Sequence, residues 1–197
     1  MSFRKEKKYR LTYSDIAEVQ KLLFKNGMKR LYPPRSVNSC YFDSEDLLFY
    51  HDSEEGVLPR KKVRIRWYND NNDLNKEVKI SSLEGRFKVS KKFDRIKKID
   101  DLFNLTLFDS TYGKLIPILL VTYERFYFTL NNVRITFDKN ISYTNIKSKT
   151  HQLVNDDECV MEVKVPINCS DDYIDKIISQ PTSRFSKYSR GLLHFYK

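Results

Sequence analysis

The segment Lys62-Val-Arg64-Ile-Arg66-Trp67 alternates cationic and apolar residues, so an extended chain turns Val63, Ile65 and Trp67 to one face and Lys62, Arg64 and Arg66 to the other. Such a row of cations suits phosphate, because the arginine fork matches two phosphate oxygens at once. The same spacing sets Glu77 and Lys79 against Val78 and Ile80, and Glu162 and Lys164 against Val163 and Val165. It also groups Arg4, Glu6, Lys8 and Arg10 near the start of the chain, then Tyr123, Arg125 and Tyr127, then Arg134, Thr136 and Asp138 opposite Val133, Ile135 and Phe137. On any single strand these charges are ordinarily the solvated face of a half-buried sheet, with Glu and Lys forming cross-strand pairs. Their recurrence along the chain suggests more. If a sheet of about eight strands closes, its charged faces converge on one lumen and its apolar faces turn outward beneath helices.

Like charges about 4 Å apart repel by roughly 4 kcal/mol at an effective dielectric near 20. A lumen holding Lys8, Arg64, Arg66, Lys79 and Arg125 is therefore expected to admit a polyanion. Triphosphate or polyphosphate fits better than duplex DNA, since a tunnel encloses only a thin chain. The carboxylates Glu6, Glu77 and Glu162 would repel phosphate unless a hard divalent cation, Mn²⁺ or Mg²⁺, lies between them.

The elements that must hold these residues are mainly strands. Period-two alternation predicts them over Phe3–Leu11, Ser36–Phe42, Lys62–Tyr68, Lys76–Ile80, Arg86–Val89, Leu119–Leu130, Val133–Asp138 and Val160–Val165. Asn131-Asn132 reads as a two-residue hairpin turn, because Asn tolerates positive φ. One helix is expected to start at a Ser14 cap, bury Ile16, Val19, Leu22 and Leu23, and stop at Gly27. A second spans Ser170 to Ser179, and a short third lies near Ile99 to Phe108. Tyr32-Pro-Pro-Arg35 reads as a stiff connector. The expected fold is α+β, mainly β: a single domain over residues 1–197, built as a closed antiparallel eight-stranded tunnel barrel with a charged lumen and a few helices packed outside.

Composition removes several classes. The chain has 36 Lys+Arg against 26 Asp+Glu, a net charge of +10, with 40% hydrophobic and 14% aromatic residues, too much apolar matter for a disordered basic tail. No apolar run approaches the roughly 20 residues of a membrane helix, and no apolar stretch follows the N-terminal charges. A cytoplasmic protein is expected. Cys40, Cys159 and Cys169 lack CxxC spacing and the three histidines are scattered, which disfavours disulfide and zinc scaffolds. No Walker loop is present.

Arg4-Lys-Glu6-Lys-Lys8-Tyr9, Arg35-Ser-Val-Asn-Ser-Cys-Tyr41-Phe-Asp43, Arg60-Lys-Lys62-Val-Arg64-Ile-Arg66-Trp-Tyr68, Glu77-Val-Lys79, Tyr123-Glu-Arg125, Arg134-Ile-Thr-Phe-Asp138, Glu162-Val-Lys164 and Arg184-Phe-Ser186-Lys187-Tyr-Ser-Arg190-Gly191 occur in this order. Their joint order resembles VTC domains, the polyphosphate-polymerase members of the triphosphate tunnel metalloenzyme (CYTH-like) superfamily. The resemblance implies an eight-stranded tunnel, a nucleoside triphosphate substrate and a divalent metal. It makes Lys8, Arg64, Arg66, Lys79, Lys88, Arg125, Arg184, Ser186 and Lys187 phosphate-binding, with Lys8, Arg64, Arg66, Arg125 and Lys187 acting in catalysis. Glu162 is the implied metal ligand, with Glu6 and Glu77 as further candidates. Arg4 stands where CYTH relatives carry their first Glu, which weakens a second metal site.

The resulting expectation is an ATP-dependent polyphosphate polymerase that moves the γ-phosphoryl group onto a growing chain. A tripolyphosphatase or nucleoside triphosphatase is the enzymatic alternative. A non-catalytic module for polyphosphate or inositol pyrophosphates is the alternative from another class. The implied partners are ATP or another nucleoside triphosphate and polyphosphate, without specific nucleic acid, with room for a separate membrane protein that receives product.

Overall fold

The computed structural model describes residues 4–69, 71, 73–96, 98–148, 150–166 and 172–196. In chain order the elements are β1 (Arg4–Leu11), α1 (Tyr13–Lys25), β2 (Lys29–Asp43), α2 (Leu48–Glu55), β3 (Arg60–Tyr68), β4 (Asn75–Ser82) and β5 (Gly85–Lys92). A 3-10 turn (Ile99–Asn104) precedes β6 (Leu107–Asp109), β7 (Gly113–Leu130), β8 (Val133–Asn145), β9 (Leu153–Asn155), β10 (Cys159–Pro166), α3 (Asp172–Ile177) and α4 (Lys187–Leu193). The sheet runs in the order β1-β10-β8-β7-β2-β3-β4-β5, with β6 beside β7 and β9 beside β8. Every ladder with a resolved register is antiparallel. The sheet is open, which corrects the closed barrel expected from the sequence. Among the described residues no ladder joins the edge strands β1 and β5. Closure depends on pairing between strands far apart in the chain, for which alternation within a strand carries no signal.

The chain forms two compact units, each discontinuous in sequence. The first comprises Met1–Ser36, Tyr123–Ile141 and Asn155–Phe185. Its core gathers Tyr9 and Leu11 of β1, Phe128 and Leu130 of β7, Val133, Ile135 and Phe137 of β8, and Met161, Val163 and Val165 of β10. Ile16, Val19 and Leu23 of α1 and Ile174 of α3 cover that apolar face, each fully buried side chain contributing roughly 1.5–3 kcal/mol. Helix α1 starts two residues earlier than the Ser14 cap implies, with Thr12 as its cap. Thr12 accepts from the Asp15 amide while the Asp15 carboxylate accepts from the Thr12 amide, and this reciprocal box satisfies two otherwise unpaired donors. The expected Ser170–Ser179 helix is present over Asp172–Ile177, with residues 170 and 171 outside the described set. Asn131 and Asn132 have φ of 46° and 65°, the mirror-image turn expected between β7 and β8.

The second unit comprises Val37–Thr122, Ser142–Val154 and Ser186–Lys197. Its β2-β3-β4-β5 meander turns Cys40, Phe42, Val63, Ile65 and Trp67 toward Phe49 of α2, Leu102, Leu107 and Leu115. Tyr32-Pro-Pro-Arg35 is not a connector but the exposed first part of β2. Helix α4 packs on the charged side of β2: Tyr188 stacks on Tyr41 at 5.0 Å and bonds through its hydroxyl to Asp43. No helix among the described residues is long and apolar enough to cross a membrane.

Candidate functional site

In the second unit the register lines up chemistry in rows. Lys62 faces Lys79 and Lys79 faces Lys88; Tyr41 faces Arg64 and Arg64 faces Glu77; Ser39 faces Arg66 and Arg66 faces Asn75. Arg64, Arg66 and Glu77 are buried. Glu77 is the hub: its Oε2 accepts from Arg64 Nε at 2.8 Å and Nη2 at 2.5 Å, and its Oε1 accepts from Lys88 Nζ at 2.5 Å. Arg66 Nη1 lies 4.0 Å from the same carboxylate, and Arg66 Nε donates to Ser39 Oγ at 2.9 Å. Burial raises the Glu77 carboxyl, but Arg64, Arg66 and Lys88 together outweigh it and hold it down at about 2. Arg64 Nη1 donates to the Tyr41 hydroxyl at 2.8 Å. The cationic wall thus carries its own counter-charge, which the sequence reading had assigned to an incoming guest.

Ser186 caps α4 by accepting from the Ser189 amide, and its Oγ also accepts from Lys62 Nζ at 2.7 Å. Lys187 opens the same helix. Asp43 anchors this end. It accepts from the amides of Ser44, Phe49 and Tyr50 and from Tyr188. Burial pushes its carboxyl up against those bonds.

In the first unit two rows cross three strands: Lys8, Glu162 and Thr136, then Glu6, Lys164 and Arg134. Lys164 Nζ lies 2.7 Å from Glu162 Oε1 and 3.8 Å from Glu6 Oε2, and Lys8 Nζ lies 3.2 Å from Glu6 Oε1. Lys8 also donates to the Phe185 carbonyl at 3.0 Å, beside the exposed Arg184. Burial raises the Glu162 carboxyl, yet Lys164, Arg125 and Lys8 drive it well below the carboxylate range. Arg125 grips Asp138 through Nε and Nη2, and its guanidinium lies 5.2 Å from the Tyr123 ring centre.

Sequence reasoning placed Arg134 and Thr136 on this face without assigning them a role. Arg134 Nε and Thr136 Oγ1 are buried and lack hydrogen-bond partners among the described residues. An unpaired buried donor costs about 1–3 kcal/mol, so both point to a ligand. Arg134 and Lys164 line a cavity of about 240 Å³ with Leu31, Tyr32, Asn132 and Pro166. The signal available in the sequence was the alternation Arg134-Ile-Thr-Phe-Asp138.

Of the expected site residues, the first unit holds Glu6, Lys8, Arg125, Glu162 and Arg184, and the second holds Arg64, Arg66, Glu77, Lys79, Lys88, Ser186 and Lys187. Among the described residues no group of three or more His, Cys, Asp or Glu side chains could hold a metal. The Glu162 carboxylate and the unpaired Thr136 hydroxyl beside it are nonetheless hard oxygen donors. They fit a Mg²⁺ or Mn²⁺ ion that completes its shell with water and substrate phosphate. Both Glu77 oxygens are taken by cations, so Glu77 is a counter-ion here.

A family model for the VTC domain matches residues 3–196. The chain belongs to the VTC domain family. Solved structures share the fold of this VTC domain at low identity. They include a candidate adenylate cyclase from Bacillus halodurans (12% identity, TM-score 0.60, covering 100% of this chain and 98% of that one). Another is a candidate adenylyl cyclase from Hippeastrum, reported to show a dominant triphosphatase activity (11%, 0.59, 98% and 96%). A third is a candidate adenylate cyclase from Vibrio parahaemolyticus (13%, 0.55, 98% and 98%). No curated protein matches the sequence.

Proposed function

We propose that this VTC domain is a nucleotide-dependent polyphosphate polymerase, with residues 1–197 serving one reaction in the cytoplasm. The observation that carries the reading is the pairing of arginines with buried carboxylates, Arg64 with Glu77 and Arg125 with Asp138, within a VTC match that spans nearly the whole chain. Arg64, Arg66, Lys79 and Lys88 would hold phosphoryl oxygens on the second unit, with Ser186 and Lys187 beside them. Lys8, Arg125 and Arg184 would do so on the first. A terminal phosphate oxygen of the acceptor chain attacks the γ-phosphorus of ATP, the β–γ bridging bond breaks, and ADP leaves with the electron pair. The protein's part is positioning and charge neutralisation. Glu162, with Thr136 beside it, would hold the Mn²⁺ or Mg²⁺ ion that neutralises charge on the transferring phosphoryl group.

Hydrolysis is the second reading, favoured by the triphosphatase activity reported for the Hippeastrum protein. Water then replaces the acceptor chain. Incubating the purified protein with ATP and Mn²⁺, then resolving polyphosphate on gels and measuring ADP and phosphate, separates the two. Long chains with matching ADP support the polymerase; phosphate release without chains supports the hydrolase.

A further inference from the structure

Tyr41 occupies the position on Arg64 that a phosphate oxygen would want. Arg64 spends Nε and Nη2 on Glu77 and turns Nη1 to the Tyr41 hydroxyl at 2.8 Å. The phenol is buried and held flat against Tyr188, with ring planes 25° apart. Among the described residues its hydroxyl accepts a hydrogen bond but has no acceptor for its own proton. The charged and titratable groups around it are Arg64 and Arg66 of β3, Glu77 and Lys79 of β4, Asp43 of its own strand, and Tyr188 of α4. Asp43 is already committed to Tyr188 and three amides, and Glu77 to its cations. A phenol facing donors without an acceptor is stabilised by losing its proton, or by gaining a ligand that can receive it.

We propose that the Tyr41 oxygen takes the place of a substrate phosphate oxygen on Arg64 and, when polyphosphate arrives, takes up one proton and donates it as a hydrogen bond to that phosphate. The inference rests on the polyphosphate reading of the site. Burial raises the phenol, but Arg64, Arg66 and Lys79 outweigh it and bring it down from 10.0 to about 7. An incoming polyanion neutralises those three cations and returns the phenol toward its ordinary value. Binding therefore carries proton uptake, and affinity should fall as pH rises through that window. No bond other than O–H is made, and the proton comes from solvent. Tyr41 is a positioning residue for the phosphate that Arg64 receives.

Tripolyphosphate serves as the probe, with affinity measured by calorimetry in two buffers of different ionisation enthalpy and tyrosinate followed by near-ultraviolet absorbance. Near pH 8 the wild-type protein should bind with loss of tyrosinate absorbance and net proton uptake. Tyr41→Phe should bind without the absorbance change and take up only the proton that tripolyphosphate itself exchanges. Between about pH 7 and 10 wild-type affinity should weaken by up to about tenfold per pH unit beyond the course shown by Tyr41→Phe. Tripolyphosphate binding with unchanged tyrosinate absorbance overturns this inference alone. Absence of tripolyphosphate binding by the wild-type protein overturns the polyphosphate reading. The wild-type absorbance decides the matter even where Tyr41→Phe does not fold.

Discussion

Arg125 donates to both carboxylate oxygens of Asp138, Nε to Oδ1 at 2.6 Å and Nη2 to Oδ2 at 2.7 Å. Asp138 is fully buried on the charged face of the first unit, and Arg125 is half-buried beside it. Removing one member of a buried pair leaves an uncompensated charge, which costs more than the pair itself contributes. Asp138→Asn is expected to lower stability by about 3 kcal/mol in denaturant unfolding. A loss within about 0.5 kcal/mol, the range of an ordinary surface change, would show that Arg125 finds another partner.

Glu77→Gln should be costly for the same reason, since Arg64, Arg66 and Lys88 all converge on that carboxylate. A loss of about 3 kcal/mol is expected, with part recovered on adding tripolyphosphate, because a ligand that binds only the folded state stabilises it. The pH course follows from the sign of the shift. Glu77 lies at about 2 when folded and 4.5 ordinarily, so its contribution is complete above about 4.5 and drains away as pH falls toward 2. Wild-type and Glu77→Gln stabilities should converge across that interval. Parallel curves would remove Glu77 from its place as counter-ion.

Glu162→Gln keeps shape but loses the charge that a hard cation requires. Turnover of ATP with Mn²⁺ should drop by about a hundredfold or more, while the circular dichroism spectrum stays that of a folded protein. Near wild-type turnover at saturating Mn²⁺ would exclude Glu162 as the principal ligand.

Gly191 in α4 has no room for a side chain. A Cβ there would come within 2.6 Å of Tyr143 and 2.7 Å of Leu119. Gly191→Ala should lower stability by about 1–3 kcal/mol through overpacking, read as a reduced melting temperature. An unchanged melting temperature would show that Tyr143 moves aside freely.

The faces of the strands were legible because a period of two is written in each strand by itself. Val63, Ile65 and Trp67 enter the core and Arg64 and Arg66 the opposite face, as alternation requires. Cross-strand partners were not legible. Nothing near Arg64 in sequence announces Glu77 as its carboxylate, nor does Arg125 announce Asp138, so the wall read as unbalanced charge. Helices α2 and α4 also escaped. Helix α2 begins at Leu47 in a left-handed conformation without a side-chain cap, and α4 spans only Lys187–Leu193, too few residues for a helical period to stand out. The Asp43 carboxylate, which ties β2 to α2 and Tyr188, reads in sequence as one more strand-end acid.

Strand β1 pairs with β10 along its whole length, Lys8 opposite Glu162, yet nearly the entire chain lies between them. During synthesis the first strand made must wait for one of the last. Such non-local pairing is slow, because loop-closure entropy must be met before any contact rewards it. A waiting strand is also an open template for another chain. Its sequence, Arg-Lys-Glu-Lys-Lys-Tyr-Arg-Leu, answers that hazard: five cations in eight residues repel a second copy until β10 brings Glu162. Lys8, which would face phosphate in the finished protein, thus also helps to guard the nascent one.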